Sequence, residues 1–164
     1  MTISELTAKI IEYSKGNVND INHLLNVWDL AKTIGELEKL DKDTLFILEA
    51  ASLIHDIACP YCREKFGNTA GFHQEKEGLH ISQKFLEHTD IPLVQKERII
   101  FLVSHHHTLS GISGADYQIL IEADYIVNSL ENAYPLENIK NFSERFFKTP
   151  SALLILKSIY HNLD

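Results

Sequence analysis

Apolar positions recur at helical spacing along most of the chain. Ile3, Leu6 and Ile10 lie three or four residues apart, which places their side chains on one face of a helix. Thr2 and Glu5 have the spacing of a capping box at the start of that helix. From Asp20 onward a longer stripe follows: Ile21, Leu24, Leu25, Trp28, Ala31, Ile34 and Leu37. The pattern predicts two amphipathic helices in the first forty residues.

The next segment is apolar on nearly every side. It starts at Asp41 or Asp43, and Leu45 to Ile54 includes only two polar residues. A helix without a polar face is buried on most sides, so we expect it at the centre of the molecule. It runs into residues 55–58 and ends before Pro60, because the residue before a proline disfavours helical geometry.

Helical patterns continue over about 74–88, 92–106 and 115–132, and Pro135 and Pro150 each suit the first turn of a further helix. Residues 59–73 contain Gly67 and Gly71 and are predicted to form a mobile loop. The chain has no internal repeat and no linker-like stretch. We therefore expect one all-α domain over residues 1–164, an irregular bundle of seven to eight helices.

Composition and charge exclude several classes of function. The 164 residues carry a formal net charge of −8, and an acidic surface repels nucleic-acid polymers. No apolar run approaches the roughly 18 residues of a membrane helix, and the first residues lack the features of a signal peptide. Two cysteines are too few for a disulfide framework. These features favour a cytoplasmic protein without a nucleic-acid or membrane partner.

Acidic and histidine side chains stand in the most apolar segments. His55 and Asp56 end the central helix, His23 lies on the inner side of the second helix, and Asp124 follows an apolar stripe. A buried carboxylate is costly without a cation or several donors, and histidine is the commonest metal ligand. The alternatives are a core histidine at position 23 and carboxylates paired with lysine or arginine.

Three consecutive histidines, His105, His106 and His107, end the predicted helix 92–106 after an apolar run. At least one of three consecutive helical positions is expected to face inward. The alternative is a solvated helix end.

The order His23, His55-Asp56, His105/His106 and Asp124 resembles the HD-domain metal-dependent phosphohydrolases. The resemblance covers about residues 20–130 and includes these local sequences: Asn22-His23-Leu24-Leu25-Asn26-Val27, Leu53-Ile54-His55-Asp56-Ile57 and Glu122-Ala123-Asp124-Tyr125-Ile126-Val127. It implies that His23, His55, Asp56 and Asp124 bind one divalent ion. Two imidazoles and two carboxylates suit Fe, Mn, Zn, Ni or Co without choosing among them.

The resemblance also implies hydrolysis of a phosphomonoester or phosphodiester of a small molecule, with nucleotides as one candidate class. A metal ion would activate the attacking water. Asp56 would orient that water if it also faced a second ion, and we expect His106 either to contact the substrate or to lie beside the metal ligands. Arg63 and Lys65 precede a glycine-containing loop that could close over a phosphate; the alternative is an ordinary charged surface loop.

Members with two metal ions add a histidine on the helix over 74–88 and another on the helix over 92–106. If Gly78 is aligned with the small residue of that motif, the ligand position holds Gln74. His73 and His80 are close in sequence but out of register. We therefore expect one ion, with five residues as possible ligands of a second ion or as neighbours of the first: His73, Gln74, His80, His105 and His106.

Two other functions remain open from the sequence. Gln74 at a ligand position favours a metal- or ligand-binding sensor, or a partner-binding helical module, without catalysis. Cys59-Pro60-Tyr61-Cys62 matches the tetrapeptide of glutaredoxins. That motif works at a strand-to-helix turn, and no βαβ pattern surrounds it here. A redox role for Cys59 and Cys62 is thus the third hypothesis.

Overall fold

The computed structural model describes residues 1–163, which form nine α-helices and no strand. The helices are α1 (Ile3–Tyr13), α2 (Val18–Leu37), α3 (Lys42–Ile54), α4 (Cys59–Phe66), α5 (Gly71–Leu86), α6 (Leu93–Val103), α7 (Ala115–Glu131), α8 (Leu136–Phe146) and α9 (Pro150–Ile159). The all-α class predicted from the apolar periodicity is confirmed.

Helix α3 lies at the centre of the bundle, as its apolar sequence predicts. Every residue from Leu48 to Ile54 is buried, and α3 packs against α1, α2, α6 and α7. The segment Lys42–Phe66, which joins α3 to α4, is long and apolar enough to cross a membrane by composition alone. Its most apolar stretch is 67% buried inside the protein, as expected for a core segment.

Helices α2, α3 and α7 pack against one another and form the frame of the core. Gly35 allows the close approach of α2 to the start of α3. A Cβ atom added at Gly35 would lie 2.9 Å from Leu45 Cδ1 and 3.1 Å from Leu48 Cδ2, closer than packed carbon atoms allow. This close packing brings the inward-facing polar residues of the three helices near one another.

The prediction of a loop over residues 59–73 is wrong. Residues Cys59–Phe66 form α4, and α5 begins at Gly71, three residues before the predicted start at 74. Pro60 stands in the first turn of α4, where its missing N–H costs nothing. Helix α3 already ends at Ile54, before the turn over residues 55–58, so Pro60 starts the next helix and is not the residue that stops α3. Gly67 ends α4 with a φ of 70°, a left-handed conformation that glycine adopts without strain.

The C-terminal helices are tied to α7 through a buried carboxylate. Glu122 is fully buried and accepts hydrogen bonds from Thr149 N at 3.1 Å and Gln118 Nε2 at 2.8 Å. A carboxylate at the first turn of a helix satisfies free N–H groups and the helix dipole. Glu122 therefore anchors the start of α9 to the helix that also carries Asp124.

Candidate metal centre

Four polar side chains from α2, the turn after α3, and α7 meet inside the bundle. His23 Nε2 lies 3.2 Å from His55 Nε2 and 3.2 Å from Asp124 Oδ1. His55 Nε2 lies 3.4 Å from the same Asp124 oxygen. The Asp56 carboxylate is 3.7 Å from both imidazoles, through Oδ2 to His23 and Oδ1 to His55.

The end of α3 explains how two adjacent residues point into one cluster. Side chains of neighbouring helical residues diverge by about 100°, but α3 ends at Ile54. The chain then makes tight turns, with Ile57 N bonded to Ile54 O at 3.0 Å and Cys59 N to Asp56 O at 2.9 Å. His55 and Asp56 can therefore converge on one cluster.

Hydrogen bonds to the other ring nitrogens fix the orientation of both imidazoles. His23 Nδ1 lies 2.8 Å from Glu131 Oε2, and His55 Nδ1 lies 2.9 Å from Ser52 O. Because both partners are acceptors, Nδ1 carries the proton in each ring. In the neutral rings the two Nε2 lone pairs then face each other and the carboxylates, an arrangement that only a shared proton or a cation can stabilise.

The donor set and its spacing fit a divalent metal ion. Bonds of about 2.0–2.2 Å place neighbouring ligands of a four- or six-coordinate ion about 3.0–3.5 Å apart. The two histidines lie 3.2 Å from each other and 3.2–3.7 Å from the two aspartates, close to that spacing. Within residues 1–163, the ion pairs of the two aspartates are made with histidines rather than with lysine or arginine.

The charges in the cluster shift its pKa values strongly. Burial alone would raise the pKa of Asp56 and Asp124, but the neighbouring histidines hold the pKa of both carboxyls well below the usual range. Burial opposes the protonation of His23, yet Asp124, Asp56 and Glu131 outweigh it and raise its pKa to about 9. The carboxylates are therefore ionised at neutral pH, and a proton and a metal ion compete for His23.

Two residues that contact this centre were not predicted from the sequence. Asn128 Nδ2 donates to Asp124 Oδ1 at 2.7 Å, and Glu131 holds His23 as described above. They follow Asp124 by four and seven residues, a spacing that keeps them on one helix face. That spacing is the signal that could have identified them.

A cavity of about 350 Å³ opens beside the centre. Asp56, Asp124 and His106 are among the residues that line it. Three aromatic rings line it as well: Tyr125 stacks on Phe142 with ring centroids 3.7 Å apart, and Tyr134 lies edge-on 5.8 Å from Tyr125. We call these three residues the aromatic wall. The cavity is thus lined by ionic groups and by flat aromatic rings.

His106 and His107 approach Asp56 from the turn after α6. His106 Nδ1 lies 2.8 Å from Val103 O, and its Nε2 lies 3.2 Å from Asp56 Oδ1. One ligand atom from each of Asp56, His106 and His107 lies within 4.8 Å of the others. These three residues form a second group that could hold a cation.

The other residues predicted for a second ion fall into two classes. His73 stacks on Phe66 at 3.9 Å, His105 stacks on Phe101 at 4.1 Å, and His80 is exposed. None of these three lines the cavity. Gln74, by contrast, is buried and lines the cavity. The position that aligns with the ligand histidine of two-metal members is therefore the one that the fold brings to the site.

The two basic residues predicted to bind substrate face other partners. Arg63 pairs with Asp20, and Lys65 Nζ lies 3.2 Å from Glu77 Oε1. Neither residue lines the cavity. The sequence placed them near the His-Asp pair, but α4 directs them away from the cavity.

Cys59 and Cys62 lie in α4, and both are buried free thiols. Burial raises the pKa of both, and nearby carboxylates raise it further. A reactive thiol requires a lowered pKa, so the surroundings of both cysteines oppose thiolate chemistry.

Two imidazoles and two carboxylates at the centre of an all-helical domain are typical of metal-binding helical proteins. Residues 20–139 match the model of the HD domain. The chain therefore belongs to the HD domain family, part of a superfamily of metal-dependent phosphohydrolases, which confirms the resemblance seen in the sequence.

A similar fold occurs in the crystal structure of a predicted HD superfamily hydrolase from an uncultured Thermotogales bacterium. The TM-score is 0.70, with 21% sequence identity over 96% of this chain and 84% of that one. At this identity the similarity concerns the fold. No curated protein matches the chain.

Proposed function

We propose that this protein hydrolyses a phosphate ester of a small molecule, using a divalent ion held by His23, His55, Asp56 and Asp124. One observation carries the proposal: two imidazole lone pairs and two ionised carboxylates converge at 3.2–3.7 Å beside a cavity of about 350 Å³. The mixed N/O donor set is compatible with Fe, Mn, Zn, Ni or Co.

The ionic residues that line the cavity have distinct roles in this proposal. The bound ion would lower the pKa of a water molecule and offset charge on the phosphate. Asp56 lines the cavity and, as a carboxylate, accepts a hydrogen bond that orients that water. Burial opposes the protonation of His106, but Asp56 outweighs it and raises its pKa. A protonated His106 donates to a phosphate oxygen.

The rest of the cavity supports a particular kind of substrate. Among residues 1–163, no lysine or arginine lines it, so it offers a monophosphate more support than a polyphosphate. Tyr125, Tyr134 and Phe142 present ring faces and edges on which a flat group can stack. Nucleoside monophosphates have both features and are the first class to test. Arg63 and Lys65 could contact such a substrate only after leaving Asp20 and Glu77.

The test combines metal content with turnover. Elemental analysis of tag-free wild-type protein is expected to find a tightly held transition metal, and Asp56→Ala is expected to lose both metal and hydrolysis of a phosphate-ester panel. Asp29→Ala, at an exposed position of α2, is the matched control and should retain both. Turnover by metal-free Asp56→Ala protein would defeat the proposal.

Gln74 supports a second candidate function. An amide stands where two-metal members have a histidine, and a weakened centre suits a sensor or a partner-binding module on the same scaffold. That function predicts tight binding of a metal ion or small ligand with no turnover of any phosphate ester in the panel. Helical content measured by circular dichroism must be unchanged for this comparison.

A further inference from the structure

His106 reaches the cavity from the segment that joins two helices. Helix α6 ends at Val103 and α7 begins at Ala115. A connecting segment is more mobile than the helices that it joins, and displacement of a functional group by about 1 Å can cost about 100-fold in rate. The contacts that hold this segment therefore determine whether His106 stays in place.

One buried hydroxyl bridges the two ends of residues 105–108, which we call the histidine turn. Tyr117 is only 1% exposed, and its Oη lies 2.6 Å from both His105 O and Thr108 O. Thr108 N closes the turn by donating to His105 O at 2.7 Å. The hydroxyl has one proton for the two carbonyl oxygens, so it ties both ends of the turn to the start of α7.

The ring of Tyr117 also contributes to the direction of the histidine turn. It packs edge-on against Phe101 with ring centroids 5.9 Å apart, and Phe101 stacks on His105 at 4.1 Å. His105 is thereby held against α6. The next residue, His106, then lines the cavity.

The His106 side chain follows the backbone of this segment. Its Nδ1 lies 2.8 Å from Val103 O, which ties the ring to the main chain. Its Nε2 lies near Asp56 but has no hydrogen-bond partner within residues 1–163. A shift of the histidine turn would therefore move the one ring nitrogen that is available to a phosphate oxygen.

We propose that Tyr117 is a positioning residue for the phosphate contact of His106, acting through the carbonyls of His105 and Thr108. The inference rests on the proposed function, because that function gives His106 Nε2–H a phosphate oxygen to bind. Tyr117 is not among the residues that line the cavity, so it touches neither the substrate nor the ion. Its hydroxyl acts by holding the histidine turn where His106 reaches the phosphate.

A second set of hydrogen bonds allows the hydroxyl to be removed without loss of the fold. Glu75 accepts from His107 N at 3.1 Å and from Thr108 Oγ1 at 2.9 Å, and these bonds hold the histidine turn to α5. Tyr117→Phe keeps the ring and its contact with Phe101. We therefore expect this variant to fold and to retain metal, with a looser histidine turn.

A double-mutant cycle on phosphate affinity tests the assignment. Calorimetric titration of the protein that carries its tightly held metal ion, with inorganic phosphate as the probe, measures this affinity without requiring turnover. His106→Ala is expected to weaken binding by about 10–100-fold, because it removes a hydrogen bond to a charged group. Tyr117→Phe is expected to weaken it by about 3–10-fold alone, but by less than about twofold in the His106→Ala background.

Two further variants separate positioning from general stability. Tyr160→Phe removes another partly buried hydroxyl, which lies 3.0 Å from Ser129 Oγ, and should bind phosphate like wild type. Thr108→Val keeps the shape of the side chain but loses the bond to Glu75, and its effect should also depend on His106. Thr108→Val carries the prediction if circular dichroism shows that Tyr117→Phe is unfolded.

Equal weakening by Tyr117→Phe with and without His106 would overturn the assignment and leave Tyr117 a structural residue. Wild-type affinity of Tyr117→Phe for phosphate would overturn it too. Wild-type protein that binds phosphate but hydrolyses no ester of the panel defeats the proposed hydrolysis alone, since the cycle is measured on binding. Metal-loaded wild-type protein that binds no phosphate overturns both.

Discussion

Glu131 Oε2 lies 2.8 Å from His23 Nδ1. The other ring nitrogen of His23, Nε2, faces Asp124. Partners of this kind fix the tautomer and direction of a ligating ring and raise its basicity. Glu131 comes from the last turn of α7, seven residues after Asp124. The helix that supplies one carboxylate of the centre thus also orients the histidine opposite it.

Replacement of Glu131 by alanine is expected to lower metal affinity by about 10–100-fold. Glu131→Gln keeps an oxygen acceptor for Nδ1–H and should recover most of the loss. Competition with a metal-sensitive dye measures the affinity, and Glu36→Ala, at an exposed position of α2, controls for the loss of one negative charge. Unchanged affinity in Glu131→Ala would show that His23 needs no such support.

The metal-free protein is expected to lose stability between about pH 6.5 and pH 9. The pKa of His23 is raised to about 9 in the folded state, against an ordinary value of about 6.5. Its stabilising contribution is fully present below the unfolded value and is lost as the pH rises through the folded one. The lowered pKa values of Asp56 and Asp124 have the opposite effect, so their contribution is lost as the pH falls into the acid range.

Metal binding should abolish the alkaline part of this profile, because a ligating His23 holds the ion instead of a proton. Thermal unfolding from pH 5 to pH 9.5, with and without metal, measures both curves. A metal-free melting temperature that stays constant from pH 6.5 to pH 9 would show that His23 is not held protonated by its carboxylate neighbours.

The helices that carry the metal centre could be predicted from the sequence, because their apolar stripes are long and His23, His55 and Asp124 interrupt them. The helix ends could not be predicted in the same way. Residues 105–107 follow the end of α6 at Val103, so the turn, not helical spacing, determines that His106 faces Asp56 while His105 stacks on Phe101. Pro60 was interpreted only as a stop signal, although proline is equally suited to begin a helix.

The buried thiols are expected to be unreactive in the folded protein. Burial raises the pKa of Cys59 and Cys62, which keeps both protonated and slow to attack a disulfide reagent. Labelling with an aromatic disulfide should be slow in native buffer and should reach both cysteines in denaturant. Fast native labelling that Cys62→Ser removes would restore the redox hypothesis for the Cys59-Pro60-Tyr61-Cys62 segment.

The aromatic wall is expected to select the substrate, and Tyr134 is its most informative member. The backbone places it: Ala133 has a φ of 48°, a left-handed conformation that is unfavourable for alanine, and Tyr134 N then bonds back to Ser129 O at 3.1 Å. Stacking of a base on an aromatic side chain is worth about 1–3 kcal/mol. Tyr134→Ala should therefore raise KM for a nucleoside monophosphate by about 5–150-fold.

The same variant should leave the KM for ribose 5-phosphate unchanged, since that substrate has no ring to stack on the wall. Tyr134→Phe keeps the ring and should behave like wild type toward both substrates. Steady-state kinetics with the two monophosphates separates recognition of the flat group from the phosphate chemistry. Equal losses on both substrates would mean that Tyr134 supports the fold of the cavity, and equal retention would mean that the wall does not contact the substrate.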